Sequence, residues 1–244
     1  MIFSDSQHKH FSTLLILNIT AAVACCLGII AVYRYGFHGI HGRSYLFLTL
    51  GLVCWFSADL SLAYYYFALG IEEQILVSVT DVLWFAGYGF LALHLFTVLN
   101  YIRSKINLST VVIASFATVL FISYNIFIFL PSSQFFILGD LTAFVVTISY
   151  PILDLILIVP SILILVSLRK DYINSIPWFL SSLSLLVNAI ADDGYVNDFV
   201  NGHLHNLLFW DIFYVTDFII MAGSLFWYNR YHISDNLGKM KLSY

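Results

Sequence analysis

The chain has 244 residues, 61% hydrophobic and 10% charged, with a mean hydropathy of +0.90 and a formal net charge of −4. Soluble domains carry about 25% charged residues, so this composition excludes a soluble globular domain and defines an all-α polytopic membrane protein. No basic patch is present, which argues against nucleic-acid binding. Cys25, Cys26 and Cys54 all sit in apolar runs and offer neither a disulfide framework nor a spaced ligand set.

Apolar runs of membrane length predict seven helices, at about 12–33, 44–69, 75–101, 108–130, 141–168, 176–197 and 206–228. In the first, Ala22-Val23-Ala24 has the look of a cleavage site. The apolar stretch nevertheless continues from Ser12 to Tyr33, so a retained spanning helix is expected. The second run carries Ala58-Asp59 and Tyr64 to Tyr66 and stops at Gly70; the third carries Asp81, Trp84, Tyr88 and His94. The fourth has no carboxylate. Tyr150-Pro151, Asp154 and Pro160 lie on the fifth, Asp192 and Asp193 on the sixth, and Asp211, Tyr214 and Asp217 on the seventh.

Orientation follows from the bases. Arg34, Arg43, Arg103, Lys105, Arg169, Lys170, Arg230, Lys239 and Lys241 fall in odd loops or the C-terminal tail, and only Lys9 falls on the other side. The positive-inside rule then predicts an outer N-terminus and a cytoplasmic C-terminus in a multi-pass protein of the cell membrane.

Within or at the edge of these apolar runs stand seven carboxylates, Asp59, Asp81, Asp154, Asp192, Asp193, Asp211 and Asp217, with no basic residue among them. An ionised carboxylate at membrane depth is costly and marks a functional position by default. Without Lys or Arg to neutralise them, these acids call for a bound proton or a cationic guest. Counting from each helix entry places Asp81 about 9 Å and Asp217 about 15 Å deep, so the group gathers in the outer half or at the midplane. Tyrosine satisfies a carboxylate without a full charge, and aromatic faces beside acids suit an organic cation. The candidate ligand- or proton-binding set is therefore Asp59, Asp81, Asp154, Asp192, Asp211 and Asp217 with Trp84, Tyr150 and Tyr214. Tyr214 stands three residues from both Asp211 and Asp217 and is placed to bond either. An interfacial belt accounts equally well for the tyrosines. His94 reads as a core histidine; His8/His10 and His203/His205 read as polar termini and loops rather than metal ligands.

Val79-Thr80-Asp81, Ala86-Gly87 and Phe90 recur at the same spacing as Val215-Thr216-Asp217, Ala222-Gly223 and Phe226, and Ala58-Asp59 matches Ala191-Asp192. This predicts one transmembrane domain over 1–244, built as parallel halves at about 12–101 and 141–228 joined by a helix at about 108–130. Asp154 has no acidic counterpart in the first helix.

Seven helices with an outer N-terminus resemble microbial rhodopsins, but residues 206–228 contain no lysine for a retinal Schiff base. Tyr150-Pro151 with Asp154, Ala58-Asp59, and Asp81 with Trp84 resemble the seven-helix membrane input regions of bacterial diguanylate-cyclase and histidine-kinase signalling proteins. That resemblance implies a sensor, and with only a short tail after Tyr231 it implies a stand-alone one or one whose output partner is a separate chain. The expectation is a receptor with an acidic, aromatic outer-half pocket for a cation, amine or proton; the alternative is a small proton- or cation-coupled transporter. Neither an enzymatic constellation nor a cofactor site is expected.

Overall fold

A computed structural model describes residues 2–70, 78–129, 141–169, 172–200 and 207–232. Among them are seven α-helices and no strand: α1 Ile2–Tyr35, α2 Gly39–Leu69, α3 Val79–Ile102, α4 Leu108–Phe129, α5 Leu141–Leu168, α6 Tyr172–Val200 and α7 Leu207–Trp227. A 3-10 turn, Arg103–Lys105, follows α3, and a π turn, Tyr228–His232, follows α7. All seven are long and apolar enough to cross a membrane. The chain is a multi-pass integral membrane protein.

The ends obey local chemistry. α2 stops at Gly70, whose left-handed φ of 64° returns its N–H to Tyr65 O. α3 starts later than the apolar run predicts, at Val79 rather than near Ile75, because Ser78 caps it and Asp81 completes a capping box. Asp81 is therefore a first-turn residue of α3. α5 runs through both Pro151 and Pro160.

The helices form a ring. α1 packs between α2 and α7, α2 against α3, α3 against α5, α5 against α6, and α6 against α7. α4 stands outside this ring, packed on α5, and exposes Val112, Phe116, Val119 and Phe127 where lipid would lie. Helices in lipid associate through close packing of small residues rather than hydrophobic drive. Accordingly Ala21, Ala24, Ala31, Ala58, Ala189 and Ala191 are fully buried. α2 and α3 approach closely at Gly51 and Gly87, where a Cβ on either would lie 3.2 Å from the other's carbonyl oxygen.

One end of the ring interior is aromatic. Tyr45 stacks on Tyr228 at 3.7 Å and His41 on Trp178 at 4.6 Å. Just above, His94 of α3 is held at Nδ1 by Ser44 Oγ (2.9 Å) and at Nε2 by Ser181 Oγ (3.3 Å). It is a satisfied core histidine that ties α2, α3 and α6. The other end is acidic.

Candidate functional site

α2, α3, α5, α6 and α7 each bring at least one aspartate to that end. On α3, the cap fixes Asp81: its Oδ2 accepts from Ser78 N (2.8 Å) and Ser78 Oγ (3.3 Å), while Oδ1 accepts from Tyr150 OH of α5 (2.7 Å). Two turns further along the same face, Tyr88 OH lies 2.8 Å from Asp154 Oδ1 of α5 and also contacts Asp192 Oδ2 of α6. Asp192 Oδ1 accepts from Tyr214 OH of α7 (2.6 Å), and its Oδ2 from Asn188 Nδ2 (2.9 Å). Trp84 Nε1 reaches Asp59 Oδ1 of α2 (3.4 Å), and the indole of Trp55 donates to Trp84 O (3.2 Å). Asp217 of α7 accepts from Ser184 Oγ of α6.

Aromatic contacts join these pairs. Trp84 and Tyr88 both meet Tyr150 edge-on, at 6.3 and 6.4 Å, and Trp55 meets Tyr88 at 5.3 Å. Trp55 can lie there because Gly87 has no side chain; a Cβ at that position would fall 2.2 Å from Trp55 Cδ1. On α6, Ser184, Asn188 and Asp192 recur every four residues and so form one inward stripe.

Hydrogen bonds and ring contacts link Asp59, Asp81, Asp154, Asp192, Trp84, Tyr150 and Tyr214 from the sequence-derived set, and Asp217 lies near them, bonded to Ser184 of α6. Asp211 stands apart: it is half-buried and has no hydrogen bond to the cluster among the described residues. Tyr214 consequently does not bridge Asp211 and Asp217: it turns across the helix boundary to Asp192. Of the remaining acids, buried Asp193 points towards Asn125 of α4, and Asp198 accepts from Trp210 Nε1 (2.7 Å). Tyr64 is exposed, as a belt residue would be.

Tyr88, Ser184 and Asn188 are the members that the candidate set lacks. The four-residue spacing of Ser184, Asn188 and Asp192 was the available signal for the last two; for Tyr88 it was the seven-residue step from Asp81.

Two properties define what this arrangement can do. First, among the described residues every side chain donating to the five acids is Tyr, Trp, Ser or Asn, and none is Lys or Arg. Second, hydrogens are short at its centre. Tyr88 has one hydroxyl hydrogen but contacts two carboxyl groups, which also touch each other. Among the described residues fully buried Asp154 has no further donor, and its Oδ2 has no hydrogen-bond partner. One additional proton on the Asp154–Asp192 pair, with the Tyr88 hydroxyl hydrogen, supplies both Tyr88 contacts, so that each becomes a hydrogen bond.

His203 and His205, with the side chains of His8 and His10, lie outside the described residues. Among those described, no group of three His, Cys, Asp or Glu side chains is arranged to hold a metal ion. The chain matches no protein-family model, no curated protein and no solved structure.

Proposed function

We propose that the protein is a proton-responsive receptor of the cell membrane, with the Asp154–Tyr88–Asp192 triad as its sensing element. The observation that carries this reading is the hydrogen shortage around Tyr88. Asp192 is supplied by Tyr214 and Asn188 and is therefore suited to be the ionised end. Asp154, with no other donor, is suited to hold the proton and pass it to Tyr88 O while Tyr88 donates onward to Asp192. Removing that proton leaves two carboxylates in contact across α3, α5 and α6, where low dielectric strengthens their repulsion. Those helices must then separate or admit a cation. A small cation or amine would act on the same switch by replacing the proton, and the aromatic faces of Trp84 and Tyr150 suit such a guest.

The resemblance to signalling input regions agrees with this reading, and a separate output protein would then receive the change. The ring of α1 to α3 and α5 to α7, with α4 outside, is the arrangement expected of two parallel halves. That feature favours a second reading, a proton-coupled carrier.

Reconstituted protein distinguishes them. A receptor gives a pH-dependent change in tryptophan emission, through Trp84 and Trp55, that Asp154→Asn removes, and it passes no protons into liposomes under a pH gradient. Flux that depends on Asp154 establishes the carrier. No response of either kind overturns both.

A further inference from the structure

At the end of the bundle opposite the acids, α1 and α7 part to leave a cleft of about 230 Å³, lined by Leu27, Ile30, Arg34, Phe226, Asn229 and Arg230. We infer that this cleft is a binding site for an anionic phospholipid, with Arg34 and Arg230 on its phosphate and Leu27, Ile30 and Phe226 along an acyl chain.

The walls of the cleft divide by chemistry. Ile30 and Phe226 are 45% and 55% exposed, which is costly in water and natural against an acyl chain. Arg34 lies in the last turn of α1 and Arg230 in the π turn after α7, where both helices leave the apolar layer. Neither guanidinium has a carboxylate partner among the described residues. The cleft is also preformed. Arg34 Nη1 donates to Asn229 O (2.9 Å), and Asn229 Nδ2 donates to Leu27 O (3.0 Å) and Leu225 O (2.9 Å), so α1 and α7 are stitched together beneath it. One bond leaves the rest of Arg34's donor fork available, and a planar fork matches phosphate oxygens two at a time. Basic pockets between transmembrane helices at a membrane surface hold phospholipid headgroups in this way. A free phosphate would satisfy the arginines but leave the apolar wall unused.

Native mass spectrometry of the whole chain in detergent, titrated with phosphatidylglycerol or phosphatidylcholine, tests the assignment. Phosphatidylglycerol is expected to bind more tightly, and Arg230→Gln to weaken it about fivefold. Arg230 makes no protein bond among the described residues, so this variant should fold as the parent does. Arg34→Gln, which also loses the Asn229 contact, should add to the effect, whereas Arg34→Lys should restore part of it. Phosphatidylcholine, whose phosphate is neutralised by its own choline, should be weakened less than phosphatidylglycerol by these variants, and inorganic phosphate should not displace phosphatidylglycerol. Equal binding of the two lipids, an Arg230→Gln variant with the parental preference, or displacement by inorganic phosphate at comparable concentration would each overturn it.

Discussion

Tyr88 of α3 and Asp154 of α5 meet at 2.8 Å through a hydroxyl group that also contacts Asp192 of α6. This hydroxyl ties three helices of the ring at the acidic end, as does the Asp192 carboxyl that it contacts. Tyr88 is buried and, among the described residues, no Lys or Arg bonds this group, so no salt bridge makes good its loss.

Tyr88→Phe is therefore expected to destabilise the bundle by about 1–3 kcal/mol, the cost of leaving a buried carboxyl without its donor. Combining it with Asp154→Asn should cost less than the sum of the two single changes, because contacting partners couple. Tyr64→Phe, at an exposed position, should change stability by no more than about 0.5 kcal/mol. Reversible unfolding in mixed micelles reads all four variants. Additivity of Tyr88→Phe and Asp154→Asn would show that the hydroxyl does not serve Asp154.

The glycines make a second, purely steric prediction. A Cβ on Gly87 would lie 2.2 Å from the Trp55 ring, and one on Gly194 would lie 2.3 Å from Trp210, whose indole is pinned to Asp198. Gly87→Ala and Gly194→Ala should each cost about 1–3 kcal/mol through overpacking. Gly89 and Gly223 have nothing within 4 Å of a built Cβ. Alanine there should stabilise the helix by up to about 1 kcal/mol. Thermal denaturation in detergent separates the pairs, and similar midpoints for Gly87→Ala and Gly89→Ala would contradict the packing.

Much of this was legible beforehand, and the boundary between what was and was not is physical. α5 falls on its predicted range because its apolar run is bounded by polar residues on both sides. α3 does not, because the run from Ile75 to Val79 is apolar straight through the Ser78 cap, and hydropathy is blind to a hydroxyl that ends a helix. Asp59, Asp81, Asp154, Asp192 and Asp217 are expected on one half of the bundle, and they lie on the half opposite the aromatic end. Their partners could not be anticipated. Spacing along one helix makes Tyr214 a neighbour of Asp211 and Asp217, yet the contact that forms crosses to Asp192 on α6. Only the packing of α6 against α7 decides that.

Orientation rests on where the bases fall and is open to direct measurement. In a background with Cys25, Cys26 and Cys54 replaced by serine, Glu73→Cys should react with an impermeant thiol reagent from outside intact cells. Lys239→Cys should react only after the membrane is opened. Labelling of both from one face would reverse or abolish the assigned topology.

A proton held by the Asp154–Tyr88–Asp192 triad can be seen by infrared spectroscopy of the reconstituted protein. A protonated carboxyl has a C=O stretch that a carboxylate lacks, and exchange into heavy water shifts it. At neutral pH the parent is predicted to show this band, Asp154→Asn to lose it, and Tyr88→Phe to move it as its hydrogen-bond partner disappears. Asp171→Asn and Asp235→Asn, between and beyond the spans, should leave it unchanged. A parent with no such band at neutral pH, or a band that survives both Asp154→Asn and Asp192→Asn, would contradict the account.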